Sequence, residues 1–190
     1  MPHRLTRWGL GLATAFCLAQ APEGPRILRP VDQSALPPGP LSVIARGDEK
    51  SQLLLDGKPL DAKRPFSTVL TATVTPTPGP HTLTLATSGT EQKVQFFAGP
   101  KPPAGFRSYR PHPPVAATCD TCHVIRDDAW EFKGAASSCF GCHQQKTFAP
   151  KHSHNEETLA ECQLCHNPHG STEKFHLKMT REIACKQCHG

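Results

Sequence analysis

Apolar and polar residues alternate over most of the stretch from residue 26 to residue 98. Five segments show this alternation or short β-branched runs, namely LSVIARG, SQLLLDGKPL, STVLTATV, HTLTLATSG and EQKVQFFAG. A two-residue period is typical of half-buried strands, and the pairs Asp56-Gly57 and Ser88-Gly89 are typical of hairpin turns. We therefore predict about six short strands that form a small antiparallel β-sandwich over residues 20–98.

Three segments of this half carry a resemblance to a known kind of module. RILRPVDQSAL, LLLDGKPL and PGPHTLTLATSGTEQKVQF resemble the skeleton of the bacterial immunoglobulin-like modules appended to some penicillin-binding proteins. The resemblance implies an immunoglobulin-like sandwich. Gln33 stands where that skeleton usually has a glycine, and His81 belongs to the skeleton at the start of a strand. We predict that His81 has a structural role.

Residues 1–19 have the layout of a secretory signal peptide. Arg4 and Arg7 supply the positive charge, and the apolar run from residue 8 to residue 18 is too short to span a bilayer comfortably. Cleavage after Ala19 would remove Cys17 with the peptide; a retained N-terminal anchor is the alternative. We therefore expect an exported protein, in the periplasm or at the cell surface, with no transmembrane segment after cleavage.

The composition separates the second half of the chain from the first. The chain has 9 cysteines and 11 histidines, which cluster towards the C-terminus, and only 37% of its residues are hydrophobic. The formal charge of +5 is spread along the chain and does not indicate nucleic-acid binding. The proline- and glycine-rich segment GPKPPAGFRSYRP at residues 99–111 is predicted to be a linker.

Four C-x-x-C-H motifs follow this segment: CDTCH, CFGCH, CQLCH and CKQCH. This motif is the attachment signature of c-type haem, in which two thiols bind one porphyrin edge and the next residue presents its imidazole to the iron. We predict four covalently bound haem c groups. The attaching cysteines are Cys119, Cys122, Cys139, Cys142, Cys162, Cys165, Cys185 and Cys188, and the proximal ligands are His123, His143, His166 and His189.

Three other uses of paired cysteines explain the motifs less well. Zinc sites use C-x-x-C pairs but need no histidine after each pair. Thioredoxin-like pairs need a β-α-β context, which the pattern lacks. Disulfides are compatible with export, but a two-residue spacing is poor for a structural cross-link and leaves the histidines unexplained.

The second axial ligands are predicted by counting. Five further histidines lie in this half, namely His112, His152, His154, His169 and His176, and Met179 is its one methionine. Haem iron usually takes histidine or methionine as its second ligand, so the histidine surplus favours bis-histidine ligation. Such centres have low reduction potentials compared with methionine–histidine centres.

The motifs and their spacing resemble the multihaem cytochromes with doubled C-x-x-C-H motifs. HPPVAATCDTCH matches the opening of their repeat at residues 112–123, and CHNPHGS matches a later part at residues 165–171. The resemblance implies that His112 and His169 are distal ligands. By analogy of spacing before the next cysteine pair, His154 is the third and His152 its weaker alternative; His176 would be the fourth.

The first pair of motifs is short of histidines. No histidine lies between His123 and Cys139, whereas the corresponding stretch of the second pair contains two. At least one haem of the first pair must therefore take its distal ligand from beyond His143. We accordingly predict one haem-packed domain over residues 112–190, mostly irregular, with short helices that include one after Thr180.

Iron atoms with both axial positions filled transfer electrons and leave no site for a substrate. We therefore expect an electron carrier, not an enzyme, whose partners are other cytochromes and quinol-linked or terminal reductases. Two alternatives remain: an enzyme or ligand sensor with one open haem, and a structural subunit of a conductive cytochrome assembly. In the second alternative the sandwich would serve self-assembly or surface docking; it could equally be a passive spacer.

Overall fold

The structure is a computed structural model that describes residues 24–112, 118–126, 129–144, 154 and 161–189. The predicted signal peptide with Cys17, and the candidate ligand His152, lie outside the described residues. No helix in the described part of the chain is long and apolar enough to cross a membrane.

The first half folds into two packed sheets. Its strands are β1 (Arg26–Arg29), β2 (Ser34–Leu36), β3 (Leu41–Arg46), β4 (Gln52–Leu55), β5 (Lys58–Pro59), β6 (Lys63–Phe66), β7 (Val69–Val74), β8 (Gly79–Ala86), β9 (Glu91–Ala98) and β10 (Arg107–Ser108). One sheet has the order β1-β3-β7-β6, and the other has the order β10-β2-β9-β8-β4-β5. The predicted β-sandwich is therefore present, with more strands than the pattern indicated.

Alternation along the strands builds the core between the sheets. In β3 every second residue is buried, and Val43 and Ala45 are fully inaccessible. Leu83 of β8 and Phe96 of β9, in the opposite sheet, are also fully inaccessible. Burying such side chains contributes about 1.5–3 kcal/mol each, which is the main stabilisation of this half.

Two local features agree with the sequence pattern. Asp56 and Gly57 both have positive φ angles, 51° and 78°, as the tight turn between β4 and β5 requires. Gln33 has a φ of 57°, so it adopts the left-handed conformation that glycine adopts without strain. This positive φ explains why the immunoglobulin-like skeleton usually has a glycine at this position.

Two expectations for this half are corrected. The sandwich is not wholly antiparallel, because β2 runs parallel to β9 and β10 runs parallel to β2. The predicted linker at residues 99–111 ends in β10 and in Tyr109, whose side chain is only 3% exposed within the sandwich core. The high proline and glycine content indicated a loop, and a strand of two residues is too short to show a two-residue period. The sequence pattern therefore did not predict this strand.

The second half is built from short elements. They are 3₁₀ turns at Cys119–Thr121, Cys162–Leu164 and Lys174–His176, a ribbon of β11 (His123–Arg126) and β12 (Ala129–Phe132), and the helices α1 (Ala135–Ser138) and α2 (Arg181–His189). Helix α2 begins after Thr180, where the sequence predicted a helix start. The ribbon was not predicted, although the β-branched and aromatic residues in VIR and AWEF are the signal that could have revealed it.

Candidate haem-binding site

Each C-x-x-C-H motif folds into a tight helical turn. The N–H groups of Cys142 and His143 donate to the carbonyl of Cys139, at 3.1 and 2.8 Å. Cys165 and His166 repeat this arrangement on the carbonyl of Cys162, at 3.3 and 2.9 Å. The first motif has a 3₁₀ turn at Cys119–Thr121, and the last motif lies within α2. A turn of this kind places two thiols about one helical turn apart with the histidine directly after them.

The thiols of Cys122 and Cys139 are not activated for disulfide exchange. None of the eight cysteines forms a disulfide in the described structure. Burial raises the pKa of Cys139 to about 11, and burial also raises the pKa of Cys122. Reactive disulfide-exchange cysteines have lowered pKa values, so the thiols of these two residues lack that activation.

Three of the four predicted proximal histidines lie close to the ring of a predicted distal histidine. His123 and His169 have ring centroids 6.2 Å apart and planes only 16° apart. The centroids of His112 and His143 are 6.0 Å apart, with planes 60° apart. Those of His154 and His189 are also 6.0 Å apart, with planes 35° apart. Residues far apart in sequence are thus brought together in pairs.

The spacing of these pairs fits a metal ion with an imidazole on each side. A metal–imidazole nitrogen bond is about 2 Å long, so two imidazoles on opposite sides of one ion have ring centroids roughly 6 Å apart. Within the described residues, no group of three or more His, Cys, Asp or Glu side chains could hold a metal ion. The arrangement of two imidazoles fits haem iron, whose other four ligands come from the porphyrin.

The third motif is arranged differently. Nδ1 of His166 lies 2.7 Å from the carbonyl of Phe175, which fixes the orientation of the ring, as is common for metal-binding histidines. His176, the fourth predicted distal ligand, is linked to this motif through its carbonyl, which accepts from the N–H of Asn167 at 2.7 Å. Its Nδ1 is buried without a hydrogen-bond partner in the described structure, and its ring lies 5.7 Å from that of His112.

Apolar surface surrounds the motifs. The large hydrophobic side chains that are exposed in the described structure are Ile125, Phe132, Leu164, Phe175 and Ile183, and Phe175 is 80% exposed. All five lie among the motifs, while the hydrophobic core lies almost entirely in the sandwich. A porphyrin is a large apolar plate, and its faces would cover such side chains.

The electrostatics of His169 favour a neutral imidazole. Burial, together with the nearby charges of His123, Arg26 and Arg29, lowers its pKa to about 4. Burial also lowers the pKa of His123. A neutral imidazole has the free lone pair that a metal ion binds, so both rings of this pair are in the form suited to ligation.

Two aromatic residues that the sequence did not single out lie beside the His123–His169 pair. Trp130 has its ring centroid 5.2 Å from that of His123 and 4.4 Å from that of Phe66 in β6. The hydroxyl of Tyr109 donates to the carbonyl of His169 at 2.8 Å. Both contacts join the sandwich to the second half, which no local pattern could have revealed.

Comparisons with known proteins match the two halves separately. Residues 152–190 match the family described as the doubled CXXCH motif. A comparison with curated proteins finds no significant match to this chain.

Among solved structures, an FMN-binding beta-glucuronidase from Facaelibacterium prausnitzii L2-6 is similar at 15% identity and a TM-score of 0.35, over 46% of this chain and 13% of that one. The fibronectin(III)-like modules of Clostridium thermocellum CbhA are similar at 15% identity and a TM-score of 0.33, over 40% of this chain and 95% of that one. The C-terminal segment of this protein therefore has the doubled CXXCH motif of multihaem cytochromes, which indicates covalent binding of haem c.

Proposed function

We propose that this protein is an electron-transfer cytochrome with four covalently bound haem c groups, each held by two histidines. The observation that supports this most directly is the pairing of histidine rings across the second half. Three proximal histidines each have a second imidazole at a centroid distance of 6.0 to 6.2 Å. Haem attachment through cysteine pairs accounts for all eight cysteines of the described residues.

The proposed ligand pairs follow from these contacts. They are His123 with His169, His143 with His112, His189 with His154, and His166 with His176. The first pair connects the first and third motifs, in agreement with the shortage of histidines between His123 and Cys139. The last pair rests on the backbone contact of His176 with the third motif and on its unpartnered Nδ1.

Two imidazoles on each iron set the expected chemistry. Haem iron gains and loses one electron, and filled axial positions leave no place for a substrate. Bis-histidine ligation lowers the reduction potential relative to methionine–histidine ligation.

Covalent attachment of haem c takes place outside the cytoplasm, so the proposal includes export of the chain. The electron donor and acceptor would be other redox proteins, such as cytochromes and quinol-linked or terminal reductases.

Two measurements test the proposal. A pyridine haemochrome assay against protein mass should give four haems per chain, and an intact mass should show four haem additions. Carbon monoxide should react only slowly with the reduced protein, because every iron is six-coordinate. A preparation that incorporates haem in a cytochrome-maturation host but contains fewer than four would contradict the proposed number.

A second function is favoured by one observation at the third motif. No histidine ring contact is found for His166 within the described residues, unlike for the other three proximal histidines. If this iron has an open position, the protein would be an enzyme or a small-ligand sensor at that haem. Rapid carbon monoxide binding at one haem in four would support this alternative, and replacement of Cys162 and Cys165 by serine should abolish it.

A further inference from the structure

The sandwich contacts His169 directly and His123 through Trp130. Phe66 of β6 packs against Trp130 at 4.4 Å, and Trp130 packs against His123 at 5.2 Å. Tyr109, which follows β10, donates its hydroxyl hydrogen to the carbonyl of His169. The sandwich is therefore in direct contact with the residues around this pair, not a separate unit behind a linker.

Tyr109 is held firmly on the sandwich side. Its ring is 3% exposed and belongs to the same hydrophobic cluster as Leu36 and Phe96. Its N–H donates to the carbonyl of Ala35 at 2.8 Å, which fixes its backbone to β2. A buried side chain with a fixed backbone has few alternative rotamers, so its hydroxyl has a defined position.

The segment after His169 fits closely against this hydroxyl. Gly170 has a φ of +123°, and a β-carbon there would clash with the Tyr109 hydroxyl oxygen. Beside it, Arg110 and Ser171 exchange two backbone hydrogen bonds at 2.9 and 3.0 Å. Ser171 is buried, and its hydroxyl donates to the carbonyl of Leu177 at 2.5 Å. Hydrogen bonds from Tyr109 and Arg110 thus fix the backbone of residues 169–171.

We propose that the sandwich is a structural part of the first haem site, in which Tyr109 is a positioning residue that holds His169 against the iron bound by His123. This inference rests on the proposed function, because it assumes that His123 and His169 bind the same iron. It assigns the sandwich a role that neither a passive spacer nor a surface-docking module would have: without the Tyr109 hydrogen bond, His169 would leave the iron more often.

The test compares Tyr109→Phe with the wild-type protein, both carrying haem, in the rate of carbon monoxide binding after reduction. Carbon monoxide can bind a six-coordinate iron only while the distal histidine is dissociated, so the rate follows the dissociated fraction. Phenylalanine keeps the buried ring and removes only the hydroxyl. Loss of one hydrogen bond should raise the rate at one haem about fivefold to tenfold.

A matched control separates positioning from general destabilisation. Ser34 is also buried in the sandwich, and its hydroxyl donates to the carbonyl of Val31 at 2.5 Å. Ser34→Ala therefore removes a comparable hydrogen bond without touching residues 169–171, and it should leave the carbon monoxide rate unchanged. An equal rise in both variants would overturn the inference.

If Tyr109→Phe does not raise the carbon monoxide rate, His169→Ala shows whether the ligand assignment or the positioning role is wrong. If His169→Ala adds no haem that binds carbon monoxide rapidly, the ligand assignment is wrong. If it adds one but Tyr109→Phe reacts at the wild-type rate, the ligand assignment stands and the positioning role is wrong. Should Tyr109→Phe yield too little protein, Tyr109→4-fluorophenylalanine decides, since its fluorine fills the space of the hydroxyl but donates no hydrogen bond: a raised rate supports the role and a wild-type rate overturns it.

Discussion

The imidazole rings of His154 and His189 lie with their centroids 6.0 Å apart. His189 ends α2 and follows the last cysteine pair, whereas His154 precedes the third pair. Spacing left His152 as the weaker alternative to His154, and this contact supports the proposal that His154 binds the iron of the last haem.

Replacement of His154 by alanine should therefore open one haem. We expect one haem in four to become high-spin and to bind carbon monoxide rapidly, because its iron loses one axial ligand. Visible absorption spectra before and after addition of carbon monoxide would measure the fraction. His152→Ala is the matched control and should give a wild-type spectrum; the reverse result would assign His152 as the ligand.

Replacement of His169 by alanine should affect the haem of the first motif, not that of the third motif, which is nearest in sequence. The reason is the stacked arrangement of His169 and His123. The rapid carbon monoxide phase of His169→Ala should disappear when Cys119 and Cys122 are also replaced by serine. If the phase persists in that triple variant, His169 belongs to another iron and the two motif pairs are not linked in this way.

Gly170→Ala should destabilise the protein by at least about 2 kcal/mol. The φ of +123° disfavours any side chain, and the new methyl group would also meet the carbonyl oxygen of Arg110 at 2.9 Å. Thermal unfolding monitored by far-UV circular dichroism would measure the loss. Gly89→Ala is the control, because nothing lies within 4 Å of a β-carbon at that position, and it should have little effect.

The stability of the sandwich should depend on the charge of His81. Its Nδ1 lies 2.7 Å from the carboxylate of Asp56 and its Nε2 lies 2.7 Å from the carbonyl of Thr77, so both nitrogens donate only when the ring is protonated. Burial opposes this charge, but the two hydrogen bonds outweigh it and raise the pKa above the ordinary 6.5.

A raised pKa in the folded state stabilises the fold fully below pH 6.5 and less as the pH rises through the folded-state value. The melting temperature of the sandwich should accordingly fall from pH 6 towards alkaline pH. His81→Gln should be less stable at pH 6 and should lack this decline. Parallel curves for the two proteins would show that His81 does not titrate in this way.

Replacement of all eight motif cysteines by serine should unfold the second half and leave the sandwich folded. The described second half contains one buried hydrophobic residue, Ala135, whereas the sandwich has a continuous core. Small domains whose cofactor provides the core do not fold without it. Circular dichroism should retain the β signal and lose helix, and native-like helix content would contradict the prediction.

The sequence by itself indicated covalent binding of haem c. Four cysteine pairs, each followed by histidine, predict the attachment sites, because thioether formation and axial ligation need those residue types in adjacent positions. The alternation at residues 26–98 likewise predicted the sandwich, since a half-buried strand imposes a two-residue period. The turn at Asp56-Gly57 followed from its composition in the same way.

Only the tertiary structure decided which distant residues meet. His123 lies beside His169, and Tyr109 passes from a proline-rich segment into the sandwich core, because backbone pairing at β10 and at Ser171 joins the two halves. Such contacts depend on chain crossings and sheet edges, which leave no periodic pattern in the sequence. For the same reason, the two aromatic residues beside the first histidine pair became visible only in the folded protein.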